Sequence, residues 1–309
     1  MNNSPIKFAF SLLILSGSLI SCKQNKSEES SNTTDSETAT EQYSTTNALK
    51  ESLTFYASFD SSVDADFALG DPKLYTVPNR QARDSARVGL HKPDIRREDG
   101  KGKFGAGLVF TERSPGYIYY PSENNITYNT TNWAATISFW LKLDPETDLE
   151  PGYCDPIQIT DSGYNDAGIW VDFTKENPRD FRLGVIGDRE VWNPNPEGPD
   201  NENPIFNARL IAVENPPFSG DTWTHIVITF SGLNTSGGEA SLYMNGQFKG
   251  NNPLPIAPFT WDYSLSNIYL GLGYIGQMDE LSIYSRMLNA EEVAALYGLE
   301  QGVQSLLKQ

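Results

Sequence analysis

Apolar and polar residues alternate along many short segments of this chain from about residue 53 onward. Every second side chain is apolar in residues 53–59, and residues 136–143 alternate in the same way. This pattern predicts β-strands with one buried face. Short runs rich in β-branched and aromatic residues predict further strands at residues 168–173, 181–187, 209–213, 223–230, 240–244, 268–272 and 278–284.

Turn and cap signals complete this pattern. Asn245-Gly246 predicts a tight hairpin, because both residue types tolerate the positive φ that such a turn needs. Near the end of the chain, Asn289 can cap a helix and Glu292 can complete a capping box. Many short strands with one C-terminal helix predict an all-β fold, an antiparallel two-sheet sandwich.

The N-terminal residues have the pattern of a secretory leader. Lys7 precedes an uncharged apolar run, residues 8–20, which is too short to cross a bilayer. The run ends in Leu19-Ile20-Ser21-Cys22, which resembles the bacterial lipobox, in which the cysteine is acylated and becomes the new N-terminus. The alternative is an ordinary signal peptide with an incidental cysteine. We predict a leader over residues 1–21 and a lipid anchor on Cys22.

A polar segment follows the predicted anchor. Serine, threonine, glutamate, asparagine and glutamine dominate residues 23–50, which hold few apolar side chains to offset the entropy of ordering. We predict that residues 22–50 comprise the acylated cysteine and a disordered tether. The folded domain is then expected over residues 51–309.

Composition excludes several classes of function. The chain has 23 basic and 40 acidic side chains and a formal charge of −17, so a nucleic-acid partner is not expected. Its two cysteines include the one at the lipobox, which leaves Cys154 without an intramolecular disulfide partner. With only two histidines, the chain is unsuited to a histidine-rich metal site or a conventional triad.

Several short blocks follow one another in a recognisable series. They are Ala57-Ser-Phe-Asp60, Gly105-Ala-Gly-Leu-Val-Phe110, Thr136-Ile-Ser-Phe-Trp-Leu141, Trp223-Thr-His-Ile-Val-Ile-Thr229, Leu242-Tyr-Met-Asn-Gly246, Gly276-Gln-Met-Asp-Glu-Leu-Ser-Ile-Tyr284 and Leu288-Asn-Ala-Glu-Glu-Val293. Together these blocks resemble the LamG-like jelly-roll family of the concanavalin A-like lectin and glucanase superfamily. The resemblance spans residues 52–298 and implies a jelly roll, a fold that hosts lectins, carbohydrate-binding modules, adhesion modules and hydrolases. It also implies that His225 is a packing residue.

Hydrolases of this superfamily use two carboxylates that project from one face of a strand. The segment most similar to such a pair is Asp144-Pro-Glu-Thr-Asp-Leu-Glu150, with an acid at every second position. Its prolines and its lack of apolar alternation favour an exposed acidic turn over a catalytic strand.

Charge is distributed unevenly. Residues 73–103 hold nine Lys/Arg against four acids, and residues 144–174 hold eight acids and no base. One interpretation is a cationic surface, including Arg83 and Arg87, that binds an anionic polysaccharide. The alternative is that this long insertion folds over the acidic loops and neutralises them.

Aromatic side chains supply flat apolar faces on which sugar rings can stack. Trp192 lies in a Pro/Asn-rich segment and Tyr164 in another loop, so both are candidate ligand-binding residues. Trp261 and Tyr263 are further candidates. The alternative for Trp192 is a lid over hydrophobic core.

The resemblance also implies a structural calcium ion. In related sandwich modules an acid after the first strand and an acid in the last strand share calcium with backbone carbonyls. The matching residues are Asp60 and Asp279, with Asp64 or Asp66 nearby. The alternative is that these acids bond turn amides.

Together these features predict an extracytoplasmic, polysaccharide-binding lipoprotein without catalysis of its own. Its expected place is the bacterial cell envelope, anchored by lipid to the outer membrane. One alternative is a polysaccharide lyase or glycoside hydrolase on the same fold. The other is a protein-adhesion or structural module of the envelope.

Overall fold

The computed structural model describes residues 44–79 and 85–308. The predicted anchor at Cys22 and the predicted ligand-binding Arg83 lie outside these residues. Within them, two antiparallel β-sheets pack face to face. The strands of the first sheet are β1 (Leu53–Ala57), β2 (Phe67–Ala68), β5 (Ile95–Glu98), β6 (Gly107–Phe110), β8 (Trp133–Lys142), β13 (Thr224–Leu233), β14 (Glu239–Met244), β15 (Gln247–Asn251) and β17 (Gly276–Tyr284).

The strands of the second sheet are β3 (Tyr75–Val77), β4 (Arg87–Val88), β7 (Tyr117–Pro121), β9 (Cys154–Thr160), β10 (Gly168–Phe173), β11 (Phe181–Ile186), β12 (Ile211–Val213) and β16 (Asn267–Leu272). The first sheet has the order β15-β14-β13-β8-β17-β1-β2, with β6 paired to β17 and β5, and the second has the order β12-β11-β10-β9-β16-β7-β3-β4. This arrangement confirms the predicted all-β fold, a two-sheet antiparallel jelly-roll sandwich.

The core lies between the two sheets. Phe139 of β8 and Ile169 of β10 are fully buried, as the alternation of their strands predicts. Each such side chain contributes about 1.5–3 kcal/mol relative to an exposed position. At one end of the core, the ring of Trp133 lies edge-on to those of Phe230 and Phe259 at 4.7 and 5.4 Å. Because both sheets pack on this shared interior, the positions of their outer faces are fixed.

The local signals in the sequence form the structures they predict. Asn245 and Gly246 adopt φ values of 51° and 73° and join β14 to β15. Helix α4 (Ala290–Tyr297) begins with the predicted capping box, because Glu292 N donates to Asn289 Oδ1 at 2.9 Å and Asn289 N donates to Glu292 Oε2 at 3.0 Å. The hairpin turn and the capping box both provide partners for backbone groups that would otherwise lack them.

The basic insertion builds edge strands of both sheets. Strands β3 and β4 extend the second sheet, and β5 pairs with β6 of the first. Its ion pairs are local, and none of those resolved in the described residues runs to the acidic segment 144–174. They join Lys73 to Asp64 (2.7 Å), Lys92 to Asp94 (3.2 Å), Arg96 to Glu98 (3.7 Å) and Arg97 to Asp99 (2.9 Å).

Four strands of the second sheet are absent from the sequence prediction, namely β3 and β4 of the insertion and, nearer its centre, β7 and β9. Strand β7 was not predicted, although its residues alternate between the core and the outer face. Strand β9 was hidden by Pro156, which is unfavourable inside a sheet. The register between β9 and β10 shifts next to this proline, between Val171 and Phe173. This irregularity in the pairing accommodates Pro156, which has no backbone N–H to donate.

The folded domain begins before residue 51. Residues 44–52 are helical (α1), and Leu49 is fully buried in a cluster with Tyr56 of β1 and Leu296 of α4. The last residues of the predicted tether therefore belong to a packed element, and the compact unit extends over residues 42–309. In the part of the chain described here, no helix is long and apolar enough to cross a membrane.

Candidate functional site

A groove of about 540 Å³ lies on the outer face of the second sheet. Strands β7, β9, β10, β11 and β16 supply its floor. Its chemistry combines aromatic rings with a few charged and amide groups, which is typical of small-molecule binding sites. The lining residues used below are Tyr117, Tyr153, Gln158, Tyr164, Trp170, Asp172, Arg182, Asn201, Phe206 and Tyr269.

Strand register arranges five outward-facing side chains in a line across the sheet, which we call the central row. Tyr75 pairs with Tyr119, Tyr119 with Tyr269, Tyr269 with Gln158, and Gln158 with Trp170. Residues that pair directly across antiparallel strands project from the same face. Because their sequence neighbours point into the core, these five side chains all face outward.

Three tyrosines of this row, Tyr75, Tyr119 and Tyr269, form a cluster with the neighbouring Tyr117. The rings of Tyr75 and Tyr119 stack with centroids 5.4 Å apart, and Tyr117 lies edge-on to Tyr269 at 5.1 Å. Tyr75 and Tyr119 are partly exposed, whereas Tyr117 and Tyr269 are nearly buried beneath them. Burial, together with Tyr269 and the other neighbouring hydroxyls, raises the pKa of Tyr119 to about 12. At neutral pH its hydroxyl is therefore a hydrogen-bond donor as well as an acceptor.

A buried ion pair forms the polar part of the floor. Arg182 donates from Nε to Asp172 Oδ1 at 2.9 Å and from Nη2 to Asp172 Oδ2 at 2.5 Å. Burial lowers the pKa of Arg182, but the hydrogen bonds and charge of Asp172 outweigh it and raise the pKa. The guanidinium also lies 4.9 Å from the ring centroid of Tyr153. Both carboxylate oxygens of Asp172 are engaged, so this acid positions Arg182.

A segment between β11 and β12, residues 188–210, stands over one side of the groove and is called the flap. It contains α2 (Arg189–Trp192), a 3₁₀ helix (Asp200–Glu202) and α3 (Pro204–Asn207). Asp200 holds it together by accepting from Arg189 Nε at 2.5 Å, Asn165 Nδ2 at 2.5 Å and Asn193 Nδ2 at 2.7 Å. Burial alone raises the pKa of Asp200, but these donors, above all Arg189, outweigh burial and lower it.

The structure separates the two predicted aromatic ligands. Tyr164 is partly exposed and lines the groove, with its ring edge-on to Phe206 at 5.7 Å. Trp192 is only 5% exposed, packs on Phe206 at 5.5 Å and donates from Nε1 to the carbonyl of Asn165 at 3.0 Å. With both faces covered, Trp192 cannot serve as a stacking platform. It is the lid over apolar residues that the alternative interpretation describes.

The other two loop aromatics also pack internally. Trp261 is 6% exposed and donates from Nε1 to the carbonyl of Ala167 at 2.6 Å. Tyr263 donates its hydroxyl hydrogen to the carbonyl of Ile126 at 2.6 Å. Neither lines the groove.

Arg87 does not join the groove. It is exposed on the edge strand β4, opposite Thr76 of β3, whereas Val88 is the residue opposite Tyr75. Since Tyr75 faces outward, Arg87 projects toward the other face of the sheet. Arg87, predicted as a ligand-binding residue of a cationic surface, therefore lies apart from the groove that Tyr164 lines.

The acidic segment after β8 is a turn, as the preferred interpretation expects. Asp144 N donates to Asp148 Oδ2 at 2.7 Å, and Glu146 N donates to Asp144 Oδ1 at 3.1 Å. These carboxylates bond backbone amides of their own loop. They do not form a pair on a strand.

The two predicted calcium ligands bind one and the same loop. Asp60 Oδ1 accepts from Ala106 N at 2.9 Å, and Asp279 Oδ2 accepts from Phe104 N at 3.0 Å. Gly105 lies between them with a φ of 64°, and a Cβ there would approach Asp60 Oδ1 to 2.0 Å. Glycine is therefore required at this position.

Asp279 is completely buried, and its environment disfavours an uncompensated negative charge. Burial and the neighbouring Glu280 raise the pKa of Asp279 to about 9. Its Oδ1 finds no hydrogen-bond partner among the described residues. A free, buried carboxylate oxygen of this kind fits a hard cation.

The remaining ligands of a calcium ion would have to be backbone carbonyls or water. Asp66 accepts from Ser58 N at 2.7 Å, and Asp64 pairs with Lys73, so both predicted neighbours are engaged elsewhere. The described part of the chain contains no group of three or more His, Cys, Asp or Glu side chains able to hold a metal. Asp60 and Asp279 therefore fit an ion only as two carboxylates within a set completed by main-chain oxygens.

Two further residues have structural roles. His225 is 1% exposed, bonds Ser138 Oγ through Nε2 at 2.8 Å and stacks on Trp140 at 4.7 Å. Cys154 is buried, and burial raises the pKa of its thiol well above the ordinary range. His225 is thus the packing residue that the resemblance implied, and Cys154 is an inert core residue.

Sequence reasoning missed most of the groove. Tyr117 and Gln158 lie on β7 and β9, which the alternation pattern does not predict. Trp170 and Arg182 lie on predicted strands, but on the face that the alternation pattern assigns to solvent. The signal in the sequence that could have identified the groove is an aromatic residue at a strand position expected to face solvent.

Comparison with known proteins assigns the family. A sandwich of two antiparallel sheets with a groove on one outer face is the architecture of a jelly-roll binding domain. Residues 114–294 match the family model Laminin_G_3 of the concanavalin A-like lectin/glucanases superfamily. The chain therefore belongs to this superfamily, as its motifs implied. No curated protein sequence matches the chain.

Solved structures share the fold at low sequence identity. The receptor-binding domain of botulinum neurotoxin C/D mosaic serotype matches with a TM-score of 0.53 and 13% identity, covering 82% of this chain and 52% of that domain. The ligand-binding domain of serotype D, in complex with N-acetylneuraminic acid, gives 0.52 and 10%, covering 83% and 53%. Domain 4 of an arabinanase from Geobacillus stearothermophilus, in complex with arabinotriose, gives 0.47 and 17%, covering 79% and 97%. The chain thus spans about half of each toxin domain.

Proposed function

We propose that this protein is a lipid-anchored, extracytoplasmic polysaccharide-binding protein, and that the glycan lies in the groove on the second sheet. The observation that carries the proposal is that Tyr269, Gln158 and Trp170, three neighbouring members of the central row, line this groove together with Tyr117 and Tyr164. A rigid sheet holds these groups in place, so little ordering is needed when a ligand binds.

The chemistry of the groove suits a sugar. The tyrosine and tryptophan rings that line the groove offer apolar surface to the C–H faces of a sugar ring, and hydroxyl and amide groups offer donors and acceptors for its hydroxyls. The toxin domain of the same fold that carries N-acetylneuraminic acid supports this choice. Its likeness to the present chain is in the fold, so the sugar itself is not carried over.

The charges of the groove favour a neutral glycan over an anionic one. Arg182 is neutralised by Asp172, and Arg113, at the rim, donates to the carbonyls of Pro151 at 3.3 Å and Tyr153 at 3.1 Å. Within the described lining, both arginines already bond protein oxygens, so an anionic group would have to compete for them.

The same contacts favour binding without catalysis. Hydrolysis of a glycosidic bond needs one carboxyl group to donate a proton and another to act as base or nucleophile. Asp172 has both oxygens occupied by Arg182, and the acidic turn at Asp144 lies in a loop bonded to itself. The groove thus has the features of a binding site.

Anchoring is proposed from the sequence alone. The lipobox-like segment ending at Cys22 would attach the protein to a bacterial membrane, with the outer membrane as the expected one. Labelling cells with a clickable fatty acid tests this point. Loss of label in a Cys22→Ala variant is expected, and undiminished label would contradict the anchor.

A structural calcium ion is also proposed, held by Asp60, Asp279 and main-chain oxygens of the loop that both acids bond. Such an ion would neutralise the buried Oδ1 of Asp279 and fix the start of β6 against β17. It would have no part in binding sugar, since neither acid lines the groove.

A glycan array probed with the purified mature chain carrying Cys22→Ala tests the main proposal. Binding to at least one polysaccharide without release of product is the expected result. Release of shortened sugars, measured by chromatography of the best-bound glycan, would indicate a lyase or hydrolase. If no glycan on the array binds, the result would favour the alternative function, a protein-adhesion or structural module of the envelope.

A further inference from the structure

We propose that the groove holds a linear oligosaccharide lengthwise, along strand β9, with one sugar ring at Tyr153 and another at Tyr164. This inference rests on the proposed function, because it specifies how the same groove holds its ligand. It follows from the direction in which the lining residues extend and from the exposure of the tyrosines at the two ends.

The lining of the groove runs parallel to the strands. Tyr153 immediately precedes β9, and at the same end Arg113 lies against Gly273, the residue that follows β16. Tyr164 lines the other end, in the loop after β9. At about 3.3 Å per residue, the part of β9 from Tyr153 to Gln158 alone covers about 16 Å. A groove of this length accommodates several sugar rings in line.

Across the strands, packed aromatic rings bound the groove on both sides. On one side Phe206 of the flap stacks on Trp170 with ring centroids 6.0 Å apart and an interplanar angle of 17°. On the other side the ring of Tyr119, which is not part of the lining, packs 5.9 Å from that of Tyr269. Trp170 and Tyr269 are only 2% and 6% exposed, so they form the floor beneath a chain. The direction left for the chain is the strand axis.

The tyrosines at the two ends keep accessible ring surface. Tyr153 and Tyr164 are both partly exposed. The guanidinium of Arg182 lies over one face of the Tyr153 ring, 4.9 Å from its centroid, and Phe206 lies edge-on to Tyr164 at 5.7 Å. These contacts hold each ring in place, and the exposed part of each ring can present apolar surface to a sugar.

Polar groups lie between these two rings. Gln158 and the Asp172–Arg182 pair face the groove from its floor, and Asn201 lines it from the flap. Amide, carboxylate and guanidinium groups can exchange hydrogen bonds with sugar hydroxyls. The groove therefore suits a short chain with a sugar ring at each tyrosine and hydroxyl groups over the polar floor between them.

A ligand held in this way should gain affinity with each unit until it reaches both tyrosines. Units added beyond that length lie outside the groove and should contribute little. A disaccharide is too short to reach from Tyr153 to Tyr164, so it should depend on one of these residues and not on the other.

Isothermal titration with the mature chain carrying Cys22→Ala tests the dependence on length. The probes are β-1,4-linked xylo-oligosaccharides, β-1,4-linked gluco-oligosaccharides and α-1,5-linked arabino-oligosaccharides of two, four and six units. For any series that binds, we expect the affinity to rise about tenfold or more from two to four units, and to change less than about twofold from four to six. An affinity that is the same for two, four and six units would overturn lengthwise binding and leave glycan binding intact.

Variants at the two ends test the direction of the chain. Tyr153→Ala and Tyr164→Ala should each weaken binding of the four-unit ligand about tenfold, and only one of them should weaken binding of the two-unit ligand. Tyr297→Ala is the matched control, because Tyr297 is 42% exposed and stacks on Trp140 of the first sheet. It should bind like the wild type.

Two results would overturn the proposal in different ways. Weaker binding in Tyr119→Ala, with wild-type affinity in a folded Tyr153→Ala, would place the chain across the strands and leave the proposed function intact. If none of the three series binds, the proposed function fails for neutral linear glycans, and lengthwise binding fails with it.

Discussion

Tyr119 and Tyr269 lie directly opposite each other on strands β7 and β16, with ring centroids 5.9 Å apart. The two residues are 150 positions apart in the sequence, and only the pairing of their strands brings them together. Within the central row they connect the partly exposed Tyr75 to Gln158 and Trp170, which line the groove. The candidate binding surface is therefore a product of sheet register.

Trp192 is expected to matter for stability. Trp192→Ala should lower the free energy of unfolding by about 3–5 kcal/mol, because it removes a large ring packed on Phe206 and leaves a cavity under the flap. Denaturant unfolding followed by circular dichroism measures this change. Trp192→Phe should recover part of the loss, and an unchanged unfolding free energy would contradict the buried placement.

His225 should make the fold sensitive to acid. Burial, with a smaller effect of Lys103, lowers the pKa of His225 to about 3, below its ordinary value near 6.5. Between these values the unfolded chain takes up a proton that the folded chain does not, so stability is lost as the pH falls below 6.5. At pH 5 the loss relative to pH 7 is about 2 kcal/mol.

The His225→Gln variant provides the control, since an amide can still bond Ser138 and does not titrate. Unfolding free energies of both proteins at pH 7 and pH 5 give the measurement. The decrease from pH 7 to pH 5 should be smaller in the variant by about the stated amount. Equal decreases would show that His225 does not supply this pH dependence.

Calcium should raise the melting temperature if Asp60 and Asp279 hold an ion. At a hundredfold excess over its dissociation constant, an ion bound only by the folded state contributes about 2.7 kcal/mol. A chelator should therefore lower the melting temperature of the wild type, and it should have little effect on Asp279→Asn. Glu146→Gln, in the exposed acidic turn, is a control that should respond like the wild type. Identical melting curves of metal-stripped wild type with and without calcium would contradict the site.

The fold could be predicted from the sequence to a large extent, because the signals that indicate its strands, turn and helix lie in neighbouring residues. Alternation in residues 53–59 and 136–143, the Asn245-Gly246 turn and the Asn289 capping box each depend on neighbouring residues. Strand β9 could not be predicted, since the irregular pairing that accommodates Pro156 involves β10, a separate strand.

The site could be predicted far less well. Tyr164 was found because an aromatic residue in a loop is visible in the sequence. Trp192 has the same signal, yet it packs under the flap, because its contact with Phe206 depends on how two short helices fold together. Tyr119, Tyr269 and Gln158 share one row only through strand pairing, which a single sequence does not display.

Salt should have little effect on glycan binding. Arg182 is paired with Asp172, Arg113 donates to backbone carbonyls, and Arg87 projects from the other face of the sheet. Affinities measured by titration at low and at 1 M salt should therefore agree within about twofold, although the screening length falls to about 3 Å. A steep loss of affinity with salt, reduced by Arg87→Ala, would instead support a cationic surface for an anionic glycan.

The most direct test of the account is the affinity of Tyr164→Ala for a four-unit oligosaccharide that the wild type binds, measured by isothermal titration. Tyr164 is partly exposed and lines the groove. Phe248→Ala is the matched control, because Phe248 is an exposed aromatic on β15 of the other sheet, with 54% of its surface accessible. We expect Tyr164→Ala to bind about tenfold more weakly, which corresponds to about 1.4 kcal/mol of lost ring contact, and Phe248→Ala to bind like the wild type. Wild-type affinity in Tyr164→Ala, with both variants folded, would contradict the assignment of the groove as the glycan site.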